Sequence, residues 1–147
     1  MSISPQEFEE QIKYLAKEGY HTITPSEMMN ALEYGTPLPE KPIMITFDDG
    51  YLDNYTNAYP ILKKYGFTAT IFLVTGFIGN DPRFMNWEEI KEMKANGFVF
   101  GSHTVNHKSL TELSYVELKN ELLLSAEEIE QQLGHQELFF AYPTGTY

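Results

Sequence analysis

Two short runs carry the side chains best suited to chemistry. Thr46-Phe47-Asp48-Asp49-Gly50 sets adjacent carboxylates directly after the apolar Ile43-Met44-Ile45, and His103-Thr104-Val105-Asn106-His107 sets two imidazoles directly after Phe98-Val99-Phe100. One carboxylate with two imidazoles is a common donor set for a divalent metal that keeps open positions for water and substrate. The other carboxylate is then free to act as a base. Taken singly, each run has a blander reading. Asp-Asp-Gly after a strand is often only a turn, and a His pair at i, i+4, which suits one helical turn or a compact loop, is more often packed or exposed than ligating. Brought to one edge of one sheet, the two runs support each other.

The elements that would do this are announced by capping signals. Ser4-Pro5-Gln6-Glu7, Thr24-Pro25-Ser26-Glu27, Asn86-Trp87-Glu88-Glu89 and Ser114-Tyr115-Val116-Glu117 each put a capping oxygen three residues before a Glu, twice with Pro at the first helical position. The first predicted helix carries Phe8, Ile12, Leu15 and Ala16 on one face and stops at Gly19; the third stops at Gly97. The last, with Leu118, Leu122, Ile129 and Leu133, stops at Gly134. A further helix is predicted over 55–65, where Pro60 should kink it or delay its start. Strands are predicted over 21–23, 43–47, 69–74, 98–100 and 138–142. Their apolarity is continuous rather than alternating, which marks strands covered on both faces, as in a parallel sheet.

Helix alternating with strand reads as α/β. The Pro-rich stretch from Thr36 to Pro42 is a connecting loop leading into a core strand. Asp48-Asp49, His103 and Tyr142-Pro143-Thr144-Gly145 all follow strands. They therefore share the carboxyl edge of the sheet, where α/β folds build their sites.

At 147 residues and 42% hydrophobic, the chain is expected to be one domain over 1–147 with enough length to bury a core. Ten basic against 21 acidic residues give a formal charge of −11, which opposes nucleic-acid and anionic-membrane partners. Without cysteine there is neither a disulfide framework nor a thiolate metal site, so any metal must be held by oxygen and nitrogen. No apolar stretch reaches transmembrane length, and Met1-Ser2-Ile3-Ser4-Pro5 lacks the features of a signal peptide. His21 and His135 sit at element boundaries and are given no role. Trp87, in the first turn of its helix, is assigned to packing, with stacking on a sugar as the alternative. Glu88, Glu89 and Glu92, like Glu127, Glu128 and Glu130, are read as solvated helix faces.

Thr46-Phe47-Asp48-Asp49-Gly50, Gly101-Ser102-His103-Thr104-Val105-Asn106-His107 and Phe140-Ala141-Tyr142-Pro143-Thr144-Gly145 resemble, in order, the first three motifs of the polysaccharide deacetylases, the NodB-homology carbohydrate esterases. The opening Ser4-Pro5-Gln6-Glu7-Phe8 through Gly19-Tyr20-His21-Thr22-Ile23 is similar to the branch containing biofilm poly-N-acetylglucosamine deacetylases. The resemblance spans nearly the whole chain. It implies a distorted or incomplete (β/α) barrel with a parallel sheet and a divalent metal, usually zinc. The implied activity is metal-dependent removal of N-acetyl groups from an acetylated glycan containing GlcNAc, whether poly-N-acetylglucosamine, peptidoglycan or a chitin-like polymer. An extracytoplasmic, secreted or cell-surface location is implied with it.

Carried over by position, the resemblance implies Asp49, His103 and His107 as metal ligands and Asp48 as catalytic base. It also implies the Thr144 backbone N–H as an oxyanion donor, with Tyr142 and Pro143 against substrate. Ala141 stands where many relatives have Arg, so an Arg tether for the base is absent from this place. Thr144 replaces the usual Tyr of the biofilm branch, a change that a backbone role survives. The His that protonates the leaving group in relatives, late in the chain or ahead of the Asp-Asp motif in permuted ones, has no counterpart, so a truncated domain is expected. Two other classes use the same residues: a non-catalytic glycan- or metal-binding module, and a metal-dependent hydrolase of acetyl esters or small amides.

Overall fold

Reciprocal capping starts four of the helices, and the strands fall between them. The computed structural model describes residues 3–134 and 139–145. In chain order these form α1 (Pro5–Lys17), β1 (His21–Thr22), α2 (Pro25–Tyr34), β2 (Pro42–Ile43), β3 (Thr46–Phe47), α3 (Tyr59–Lys64), β4 (Thr70–Leu73), α4 (Trp87–Ala95), β5 (Val99–Ser102) and α5 (Tyr115–Leu133). Ser4, Thr24, Asn86 and Ser114 each accept from the backbone N–H of the Glu three residues on, and that Glu accepts from the cap's own N–H. Two donors that no helical carbonyl reaches are thereby satisfied at each start.

The pairings between these strands are all parallel and follow chain order, β1 with β2 in one sheet and β3 with β4 and β4 with β5 in another. The strand expected over 43–47 divides. Its first half pairs with β1, where the Ile23 N–H donates to the Ile43 carbonyl at 2.9 Å, and its second half pairs with β4, where the Thr70 N–H donates to the Ile45 carbonyl at 2.9 Å. Staggered pairing of this kind is what tilted, coiled strands of a barrel produce. Of the strand expected over 138–142, the described part makes a single parallel bridge, Phe140 to Ser102. Residue 138 and His135 lie outside the described residues. Among the described residues no pairing joins β1 to the Phe140 segment, so the sheet is an open arc of a (β/α) barrel.

The helix expected over 55–65 starts earlier and is wider at its start. A π-helical turn spans Asn54–Ala58, closed by the Tyr59 N–H to the Asn54 carbonyl, and runs directly into α3. Pro60 is the physical reason, since it has no N–H and its ring crowds the preceding turn. The wider turn absorbs the mismatch without a break.

Leu62, Ile71, Leu73, Met85, Ile90, Met93 and Phe100 are fully buried. Each contributes roughly 1.5–3 kcal/mol of burial. Phe8, Leu15 and Ala16 of α1 close over this core beside the buried Ile12, and Trp87 packs on it as its position suggested. His21 opens β1 with its Nδ1 2.9 Å from the Glu40 carbonyl, a structural contact. Glu92 is not merely solvated, because it accepts from the Tyr55 hydroxyl at 2.8 Å.

The caps make stability depend on pH. Glu7 is held below the usual carboxylate range mainly by the Ser4 backbone N–H, and Glu117 mainly by the Ser114 hydroxyl. A carboxylate with a depressed folded pKa contributes stability that is complete above its unfolded value and lost as pH falls through the folded one. Melting followed by circular dichroism from about pH 6 to about pH 3 is expected to show a falling Tm. Ser114→Ala, at a cost of about 1 kcal/mol, should lower Tm at the upper end and flatten that fall. An unchanged pH slope in the variant would remove Glu117 from this account.

Candidate metal centre

The chain leaves β3 through a three-residue turn closed by the Gly50 N–H to the Asp48 carbonyl at 2.9 Å. Asp49, at its centre, has φ 70°, and Gly50 has φ 82°. Glycine suits the second position, because a side chain at this φ is strained and a Cβ there would have to displace Leu73 Cδ2, 2.8 Å away. The Asp49 carbonyl accepts from the Val74 N–H at 3.3 Å and the Gly50 carbonyl from the Met85 N–H at 3.0 Å. This turn parts the two carboxylates. Asp49 meets the histidines, whereas Asp48 is exposed and lines a cleft with Phe8, Phe47, Tyr51, Asp53 and Asn54.

The histidine pair lies on a compact loop rather than a helix. The His103 N–H donates to the Leu73 carbonyl at 2.8 Å, extending the β4–β5 ladder by one bond. Its imidazole is 3% exposed, with Nδ1 2.9 Å from the Ala141 carbonyl. A carbonyl only accepts, so Nδ1 carries the proton and Nε2 presents a lone pair. Thr104 Oγ1 accepts from the His107 N–H at 3.1 Å, and Thr104 and His107 have φ 69° and 55°.

Two neighbouring segments flank this loop. From one side the Thr75 and Gly76 N–H groups donate to the Thr104 and Val105 carbonyls at 3.1 and 3.0 Å. A Cβ at position 76 would lie 2.6 Å from the Val105 oxygen, so the approach needs glycine. From the other side Glu121 of α5 accepts from the Val105 and Asn106 N–H groups at 2.9 and 2.8 Å and from the Asn106 side-chain amide at 2.7 Å. One turn further along α5, Ser125 Oγ lies 2.7 Å from Ser102 Oγ, which accepts from the Thr104 N–H at 3.2 Å.

Asp49 Oδ1 lies 3.3 Å from His107 Nε2 and 3.7 Å from His103 Nε2. It is shielded from solvent and has no hydrogen-bond partner. Such an oxygen is costly to bury, and a ring-nitrogen lone pair facing it raises the cost. A shared cation removes the conflict. One donor atom from each of the three residues falls within 4.8 Å of the others. Ligands about 2.0–2.1 Å from a tetrahedral zinc stand about 3.3–3.4 Å apart, which the 3.3 Å Asp49–His107 separation matches and the 3.7 Å Asp49–His103 separation slightly exceeds.

The third segment reaches the same edge through the Ala141 carbonyl and the Phe140 bridge. Pro143–Gly145 make one tight turn with Thr144 at φ 60°. Pro143 is buried and sets the turn, Thr144 is exposed, and Tyr142 is 50% exposed with its ring edge-on to Phe140 at 5.1 Å. Among the described residues, the non-glycine positions with positive φ are Asp49, Thr104, His107, Thr144 and, away from this edge, Lys41. Strained backbone gathers at sites whose surroundings over-determine it.

Glu121 and Ser125 escaped the sequence reading. Their signal is a carboxylate and a hydroxyl at i, i+4 in line with Ile129, so that polar groups occupy the buried stripe of α5.

Fold and site together define a class: an open (β/α) barrel with a candidate Asp-His-His metal centre on its carboxyl edge. The sequence profile of the polysaccharide deacetylase family matches residues 35–147, and the chain belongs to that family. It is 38% identical over 147 residues to YxkH of Bacillus subtilis, covering 52% of that relative. To the poly-β-1,6-N-acetyl-D-glucosamine N-deacetylase of Staphylococcus aureus it is 34% identical over 158 residues, covering 98% of this chain and 54% of the relative. The chain thus spans about half the length of the curated relatives it matches.

Among solved structures, the Streptococcus pyogenes deacetylase PplD in complex with acetate superposes with a TM-score of 0.94 at 35% identity, over 99% of this chain and 65% of that one. IcaB from Ammonifex degensii gives 0.83 at 33%, over 97% of this chain and 67% of its own. The incomplete NodB-type barrel expected from the sequence is the fold observed.

Zinc at about 100 times its Kd should raise stability by about 2.7 kcal/mol when it binds only the folded state. Thermal melts with and without zinc read this, and Asp49→Ala should abolish the rise. A rise that survives the substitution would place the ion elsewhere.

Proposed function

We propose that this chain carries the water-activating side of a zinc-dependent N-deacetylase acting on a GlcNAc-containing polysaccharide. One observation carries the reading: a buried, unpartnered Asp49 oxygen faces two imidazoles while the adjacent carboxylate of Asp48 stands exposed on a cleft. The substrate class is supported by the printed activity of the Staphylococcus aureus relative. It is compatible with the formal charge of −11, which favours a glycan whose freed amines are cationic.

Asp49, His103 and His107 would hold the ion, which when bound supplies Lewis acidity toward an amide carbonyl and lowers the pKa of water toward about 7. Asp48 takes a proton from the attacking water at the cleft rim. The water oxygen bonds to the acetyl carbon, the C–N bond breaks, and the proton taken up by Asp48 passes to the nitrogen, which leaves as an amine while acetate departs. The Thr144 N–H is assigned to the developing oxyanion. Tyr142 offers an exposed ring face to a sugar, with Pro143 setting its turn. Glycans of this kind support a location outside the cytoplasm, secreted or at the cell surface.

Acetate release from acetylated β-1,6-linked glucosamine oligomers, chitooligosaccharides, peptidoglycan and acetylxylan tests the activity and the bond. Asp48→Asn should lower kcat by about 10²–10⁴-fold with zinc content unchanged, and Asp49→Ala should lose zinc and activity together. Oligosaccharide binding by the purified, zinc-loaded protein without acetate release would favour a non-catalytic binding module. Release from acetylxylan alone would shift the reading to an esterase.

A further inference from the structure

We propose that Glu121 is a positioning residue for the metal centre: its carboxylate fixes the backbone between His103 and His107 so that both imidazoles meet Asp49. The inference deepens the metal-site reading above and rests on it. Glu121 is 5% exposed, and both of its oxygens are engaged by the loop. A carboxylate drawn into the apolar stripe of a helix needs donors of this quality.

What makes the contact more than packing is the way it completes two consecutive peptide planes. The Thr104–Val105 peptide is held at its oxygen by the Thr75 N–H and at its N–H by Glu121. The Val105–Asn106 peptide is held at its oxygen by the Gly76 N–H and at its N–H by Glu121. Two successive planes fixed at both ends hold the middle of the chain between the two histidines in one orientation. The strain needs that restraint, because Thr104 is β-branched and sits at φ 69°, while His107 sits at φ 55°. Without Glu121 the N–H ends are free, Thr104 can relax to an ordinary φ, and the His107 ring turns away from Asp49 Oδ1, now 3.3 Å distant.

Reach separates this role from general stability. Asp at 121 keeps the charge but falls one methylene short of the loop. Gln keeps the reach: its oxygen can accept from both backbone N–H groups, and its amide can donate to Asn106 once that side chain turns over.

The experiment compares Glu121→Ala, Glu121→Asp and Glu121→Gln with wild type. Zinc affinity is measured by chelator competition, and amide exchange at Val105 and Asn106 is measured in the metal-free proteins. Ala and Asp should bind zinc about 10–100-fold more weakly and exchange faster at both amides, whereas Gln should stay within about threefold of wild type. A folded Ala or Asp variant with wild-type affinity overturns the proposal, and so does a Gln variant as weak as Asp. If the Ala variant does not fold, the Asp–Gln comparison decides, since a purely structural role would lower Tm in both without separating their affinities. Failure of zinc to bind wild type overturns the metal reading itself. Unchanged exchange at both amides in the Asp variant overturns the role of Glu121 alone.

Discussion

A carboxylate oxygen withdrawn from water and given no N–H of its own is the constraint around which this edge of the sheet is built. Asp49 Oδ1 and the two Nε2 atoms are held close although none of them satisfies another well. The surrounding backbone must supply the restraint, and most of it comes from one place, the exit of β4. There the Leu73 carbonyl takes the His103 N–H, Val74 donates to Asp49, and Thr75 and Gly76 donate to Thr104 and Val105. Two loops far apart in sequence are thus measured off the same four residues.

That arrangement concentrates cost as well as function. Left-handed backbone at Asp49, Thr104, His107 and Thr144 is unfavourable for residues with a Cβ. The compensation lies below, in a core where Ile71, Leu73 and Phe100 on the central strands are completely buried. Gly76 marks where a side chain does not fit, because a Cβ there would lie 2.6 Å from the Val105 backbone oxygen, and Gly50 marks where one would have to displace Leu73.

Much of this was legible in the chain. Capping boxes located four helix starts to the residue because the chemistry is local: a hydroxyl or amide oxygen and a Glu three positions on. The Asp48-Asp49 pair could be grouped with His103 and His107 because parallel strands deliver their carboxyl ends to one edge, while the choice of Asp49 over Asp48 came only from the family resemblance. What escaped was whatever depends on a neighbour distant in sequence. The division of the 43–47 strand reflects which flanking strand each half bonds, information absent from its own apolar run. The π turn before Pro60 was foreshadowed by the proline, but its form depends on burying Asn54 and Ala58. Glu121 looked like any acidic helix residue until the loop that needs it was in place.

The order of pairing in the sheet also sets a timetable. β1 bonds β2, and β3, β4 and β5 bond in chain order, so each of these sheets can assemble from its amino end as the chain is synthesised. The turn bearing Asp49 is complete once Met85 is available to bond Gly50. The histidine loop cannot follow the same schedule, since its N–H groups wait for Glu121 and the His103 ring waits for Ala141. A nascent chain that has just exposed His107 therefore holds Asp49 and both histidines without the contacts that set their geometry. Their described geometry comes only after α5 and the Phe140 segment have docked, so the site is set by packing between distant segments rather than by the loops that carry its side chains.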